Sequence, residues 1–413
     1  MDGALSVALE VLTFRAGYNA SVVTLGATCL GVAAGVVGTF TFLRRRALIS
    51  DAMSHATLPG VVLAFLLGIA FGLEQRNLPL LLAGAAVTGG LGVFLVQLIT
   101  RSSRITEDAA IGIVLSVFYG LGVVLLTYVQ SLSVGGQAGL ESFILGQTAA
   151  MRRDEAIALA ILALAAIVST VLLFKEFRLV CFDAEFARGL GWPVFRIDLL
   201  MAGLSVFVTV IGLQTVGLIL IVALLILPPV AARFWSDDLR TIVILSGCIG
   251  GASAWIGAAL SAAFADLPTG GIIVLVAGVL FVVSLLLAPR RGAVANGWRR
   301  MSLAFRLRRD RALAELLAAE REAGPITIGQ QARLWLILSG YLRNGRLTPL
   351  GRQRAMAADR NFRLWEEVLR SDRAMVPPEA AFGIDPVERL LSTEQLRSLE
   401  RGLLRPAGPE HAS

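Results

Sequence analysis

Arg44-Arg45-Arg46-Ala47-Leu48-Ile49-Ser50-Asp51-Ala52-Met53-Ser54-His55-Ala56-Thr57-Leu58-Pro59-Gly60 sets an acid and a histidine four residues apart inside an apolar segment. On a helix, positions i and i+4 share a face, so a carboxylate and an imidazole point the same way. Ionisable side chains at membrane depth are costly and are functional by default. The pair has two readings. It is either a structural hydrogen bond within or between helices, or a ligand pair for a divalent metal, since carboxylate oxygen and neutral imidazole suit Mn, Fe and Zn. Two donors from one helix are too few for a tight site, and a symmetric dimer would supply four. Ser50 and Ser54 are candidates to hydrogen-bond the pair or simply to pack.

The rest of the chain gives this segment its setting. It has 413 residues, 56% of them hydrophobic, and a mean hydropathy of +0.75, which excludes an ordinary soluble domain. Gly is abundant at 42 residues, as where membrane helices pack through small side chains. Apolar runs long enough for ~30 Å of hydrocarbon fall at 19–43, 47–72, 78–99, 109–130, 156–174, 194–213, 215–235, 241–265 and 269–288. Only Gly212 to Gln214 separates the two runs within 194–235, so a broken helix is the alternative there.

Arginine-bearing loops orient the spans by the positive-inside rule. Arg44 to Arg46, Arg101 and Arg104, Lys175 with Arg178 and Arg188, Arg233 and Arg240, and the basic tail form the cytoplasmic set. Loop 131–155 is then outside and 175–193 inside. Through residue 289 the chain carries 15 basic and 16 acidic residues; from 290 onward it carries 22 and 14. The expected architecture is an all-α polytopic membrane protein of about nine transmembrane helices. Residues 1–18 form an N-terminal peripheral segment, 19–289 the transmembrane domain, and 290–413 a basic cytoplasmic domain. Met1-Asp2-Gly3-Ala4-Leu5 lacks a basic n-region, and Glu10 and Arg15 interrupt the apolar run, so no cleaved signal peptide is expected. Arg300 to Arg321 reads as a basic amphipathic helix near the membrane surface.

Several chemistries are excluded. Cys29, Cys181 and Cys248 are scattered and make neither a disulfide framework nor a zinc knuckle. Lys175 is the lone lysine and no G-x-x-x-x-G-K-[ST] surrounds it, so the chain has no P-loop. No HExxH run exists. Energy for active transport must come from a partner or from an ion gradient.

Arg45-Arg46-Ala47-Leu48, Asp51-Ala52, Ser54-His55-Ala56 and Leu58-Pro59-Gly60 together resemble the membrane permeases of ABC importers for manganese, zinc and iron. Later runs extend the resemblance through much of 20–288. Phe143-Ile144-Leu145-Gly146-Gln147 is similar to the family's short outer segment. Gln214-Thr215-Val216-Gly217, Ala223-Leu224-Leu225-Ile226-Leu227-Pro228 and Asp266-Leu267-Pro268-Thr269-Gly270-Gly271 are similar to its later runs. The resemblance implies that Asp51 and His55 are ligands in the ion path. It also implies a separate ABC ATPase, an extracytoplasmic metal-binding receptor, a second copy or sister permease, and a bacterial plasma-membrane location. No permanently bound cofactor is implied; the metal is cargo.

Lys175-Glu176-Phe177 with Phe182-Asp183-Ala184-Glu185-Phe186-Ala187 resembles the family's coupling region. By its residues alone this segment is either a short amphipathic helix anchored in a partner groove by Phe177, Phe182 and Phe186, or an interfacial loop on the headgroups. Gln214 and Asp266 are candidate path or gate residues; each also reads as a group satisfying local backbone.

The tail carries a second resemblance. Gln330 to Leu350, Arg363-Leu364-Trp365-Glu366 and Asp385-Pro386-Val387-Glu388-Arg389-Leu390-Leu391-Ser392 resemble the winged-helix and dimerisation region of iron-dependent repressors. The tail departs from that pattern at Phe362, where a histidine is expected, and no histidine follows before His411. DNA is not an expected partner. The rivals to the importer reading are a proton-driven carrier with Asp51 and His55 as relay, and a membrane-tethered regulator using the winged-helix-like tail.

Overall fold

The structure, a computed structural model, describes residues 10–11, 13, 18–44, 47–72, 78–132, 153–264, 268–289, 291–322, 329–371, 385–392 and 395–397. The chain divides into two compact units, Met1–Ala295 and Asn296–Ser413.

Every described element of the first unit is a helix. Its elements are α1 (Tyr18–Leu43), α2 (Ala47–Ala70), α3 (Leu78–Ser102), α4 (Glu107–Ser131), α5 (Arg153–Leu172), the short α6 (Phe174–Phe182) and α7 (Ala184–Gly189), then α8 (Val194–Val216), α9 (Leu218–Trp235), α10 (Leu239–Ala263) and α11 (Thr269–Leu287). Among the described residues eight of these, α1 to α5, α8, α10 and α11, are long and apolar enough to cross a membrane.

The expected ninth span, 215–235, is shorter. Helix α9 runs Leu218–Trp235, 18 residues or about 27 Å at 1.5 Å per residue, at the short end of what crosses a ~30 Å hydrocarbon core. The break before it falls at Gly217, not at 212–214. Gly217 has φ +82, a left-handed conformation that only glycine adopts without strain. Pro228 and Pro229 lie inside α9 and withdraw two backbone donors from it.

Small residues set the closest helix pairs. A Cβ built on Gly31 of α1 would lie 2.4 Å from the Gly250 carbonyl of α10, and one on Gly250 would lie 2.2 Å from the Gly31 carbonyl. One turn on, Ser246 Oγ donates to the Gly35 carbonyl at 2.7 Å. Gly60 of α2 and Gly84 of α3 meet in the same way. Such backbone approach lets dispersion, and not side-chain bulk, hold helices together in lipid. It also seats α2 against α3, α4 and α8, whose Val93, Val114 and Val206 share a buried cluster with Met53 and Ala56.

The second unit is built on α12 (Ala293–Glu322), α13 (Gln330–Leu338), a hairpin of β1 (Leu342–Arg343) and β2 (Arg346–Leu347), α14 (Pro349–Ser371) and α15 (Val387–Leu390). Leu342 pairs with Leu347 and Arg343 with Arg346. The turn between them is Asn344-Gly345, both at positive φ, 50 and 78, the type I′ pattern that matches strand twist. The amphipathic helix expected from 300 to 321 is longer. Its C-terminal apolar face (Ala312, Leu313, Leu316, Leu317) packs on Leu336, Leu342 and Leu347. Trp298, Met301 and Phe305, earlier on the helix, are exposed.

Candidate functional site

Helix α2 buries Ile49, Ala52, Met53 and Ala56 on its packed side. The i,i+4 pair Asp51 and His55 falls on the remaining edge. His55 Nε2 stands 3.5 Å from Asp51 Oδ1, with 26% of the histidine side chain and 41% of the aspartate side chain exposed. That separation is longer than a well-made hydrogen bond, so the pair shares a face without being locked together. Tyr119 of α4 meets the imidazole edge-on, ring centroids 5.0 Å apart. Ser54 and Thr57 do not serve the pair. Ser54 Oγ donates to the Ser50 carbonyl at 2.8 Å and Thr57 Oγ1 to the Ser54 carbonyl at 2.6 Å. Ser50 and Ser54 are fully buried. Among the described residues no group of three or more His, Cys, Asp or Glu side chains converges. Among the described residues, this edge offers a cation two donors, a carboxylate oxygen and an imidazole nitrogen.

Helices α6 and α7 build a second surface. Phe182 and Phe186 are 68% and 57% exposed. With Lys175, Arg178, Leu179 and Asp183 they line an open concavity of about 460 Å³. Phe177 was expected as a third anchor and is not one: it is 1% exposed and packs edge-on against Phe40 of α1 at 5.2 Å. Five steps of about 100° along the helix from 177 to 182 leave the two side chains roughly 140° apart, so one faces inward when the other faces outward. Asp183 is spent locally, since its Oδ1 accepts from the Phe186 N–H at 2.8 Å and caps α7. Glu185 pairs with Arg188, and Glu176 is half-buried.

Gln214 lies on α8, three residues before the Gly217 break; its side chain is outside the described residues, as are Asp266 and the run 143–147. On the same side of the fold as α6, Asp238 caps α10. The Thr241 N–H and hydroxyl donate to it at 3.0 and 2.9 Å and hold its carboxyl below the usual carboxylate range.

One pair escaped the sequence reading. Arg44 Nη2 lies 2.9 Å from Asp198 Oδ2, and both side chains are largely buried. Arg44 had read only as part of a cytoplasmic arginine cluster. An acid inside the apolar run 194–213 was the available signal for Asp198.

Comparison with known proteins follows the membrane unit. The ABC 3 transport family matches residues 18–288. The manganese transport system membrane protein MntC of Bacillus subtilis (strain 168) is 45% identical over 295 residues, 71% of this chain and 67% of that protein. The zinc transport system membrane protein TroC of Treponema pallidum (strain Nichols) is 42% identical over 286 residues, 68% of this chain and 93% of that protein. The solved structure of PsaBC from Streptococcus pneumoniae in complex with Fab superposes with a TM-score of 0.58 at 30% identity, covering 67% of this chain and 94% of that one.

Proposed function

The chain belongs to the ABC 3 transport family, and from that premise we propose that it is the permease subunit of an ATP-driven importer of divalent metal ions, with manganese, zinc and iron as candidate cargoes. It is not itself an enzyme; a separate ATPase subunit hydrolyses ATP, in keeping with the missing P-loop. An external metal-binding receptor delivers the ion, and the working permease is a pair, either two copies or this chain with a sister permease. The protein spans the bacterial plasma membrane, with the second unit in the cytoplasm.

The open Asp51/His55 edge of α2 carries this reading. Its acid offsets the hydration a cation loses on entering the path, and its imidazole adds a nitrogen donor that suits Mn, Fe and Zn. Two such edges facing across a pair of permeases would supply four ligands. So few ligands hold an ion briefly and release it, where a full cage would trap it. The exposed Phe182/Phe186 surface suits ATPase docking, with Lys175 and Arg178 on its rim.

The test is metal-stimulated ATP hydrolysis and uptake, ion by ion, in the reconstituted complex. The Asp51→Asn, His55→Ala double variant should insert, bind its partners and lose uptake. Full uptake by that folded variant would remove the pair from the ion path.

A further inference from the structure

Three elements meet at Arg44. It directly follows α1, and its N–H closes the last turn of that helix on the Phe40 carbonyl at 3.1 Å. Its guanidinium then forks. Nη2 donates to Asp198 Oδ2 of α8 at 2.9 Å, and Nη1 donates to the Val180 carbonyl of α6 at 3.2 Å. Val180 lies in the last turn of α6, where helix carbonyls lack intrahelical partners and the dipole favours a cation. The ring of Phe40 meets Phe174 and Phe177 of α6 edge-on. Three residues after Arg44, α2 begins, and it carries Asp51 and His55.

Burying an ion pair is a poor way to add stability, because desolvation of the two charges offsets their attraction. Orientation by the positive-inside rule asks only for charge, not for a buried partner. The fork does something else: it ties α6, the end of α1 and α8 to one side chain. Arginine suits this, since its planar group donates in two directions at once, whereas lysine is a point charge.

We propose that Arg44 is a positioning residue that carries movement of the α6–α7 docking face to the start of α2, and so to the Asp51/His55 edge. This rests on the importer reading above. Asp198 anchors the fork, and the Val180 carbonyl makes it sensitive to where α6 stands.

The experiment uses the whole complex, permease with ATPase and receptor in proteoliposomes, with hydrolysis and metal uptake measured side by side. Arg44→Met with Asp198→Leu removes both charges together, so neither is left buried alone. The double variant should assemble and hydrolyse ATP at the unstimulated rate. Its uptake per ATP should fall roughly tenfold, within the usual range of coupling between sites. Arg44→Lys keeps the charge but not the fork and should give an intermediate ratio. Wild-type uptake per ATP in the double variant would reduce the pair to scaffold and overturn the proposal, as would hydrolysis and uptake falling by one common factor. Should the double variant fail to assemble, a wild-type ratio in Arg44→Lys overturns it alone. Failure of the importer reading is visible separately, as an unmodified complex whose hydrolysis ignores metal.

Discussion

Arg44 and Asp51 stand seven residues apart in the chain. Arg44 is held 2.9 Å from Asp198, with 17% and 9% of the two side chains exposed. Asp51 stands 3.5 Å from its histidine with 41% of its side chain open. One pair is closed, buried and further bonded to a backbone carbonyl. The other is open on its outer edge and loosely spaced. A closed pair is buried against a guanidinium and gives a second cation no open approach, and an open pair contributes little to holding helices together. The same chemical types thus divide into a joint and a landing place according to burial.

Single substitutions should separate the two most sharply. Arg44→Ala leaves Asp198 buried without its cation, a loss of about 3–5 kcal/mol. In detergent the variant should unfold at a clearly lower temperature than the parent. Asp51→Asn should leave that temperature nearly unchanged, within about 0.5 kcal/mol as for exposed positions elsewhere, while uptake falls. A stable Arg44→Ala protein would dissolve the contrast.

The phenylalanines of α6 and α7 extend it. Phe177→Ala empties a packed site beside Phe40 and should cost about 3 kcal/mol, read as thermal destabilisation of the permease alone. Phe182→Ala with Phe186→Ala should leave the permease folded and release the ATPase on copurification. Retained ATPase would show that the exposed rings are not the docking anchors.

The smallest expected effect lies in the second unit. Glu320 accepts from the Leu347 N–H at 3.1 Å and from Arg352 at 2.8 Å, and these bonds hold its carboxyl below the usual glutamate range. A lowered value means that the contribution is present at neutral pH and is lost as pH falls below the ordinary glutamate range. Glu320→Gln should therefore flatten the acid end of the unit's stability curve, seen by tryptophan emission against pH. An unchanged acid limb would leave the hairpin's attachment to other contacts.

Much of this was legible in the chain. Long apolar runs separated by arginines mark spans whatever they pack against, because lipid demands internal backbone bonding. The i,i+4 spacing of Asp51 and His55 put them on one face once α2 was a helix. Phe177 was misread because an aromatic in a nine-residue helix can face either way, and the packing of Phe40 chose. The end of α8 was misplaced because Gly212 and Gly217 are equally permissive residues; only Gly217 takes positive φ.

Hydrophobicity, charge sign and short-range spacing are local quantities, and they alone determined the membrane class, the positions of the spans outside 194–235 and the shared face of Asp51 and His55. Which charges close on each other is not local. Arg44 and Asp198 are 154 residues apart, and their pairing exists because close helix packing brings α1, α6 and α8 to one point. Tertiary structure decided that Arg44 is a buried joint, that Phe177 faces inward, and that the edge of α2 stays open.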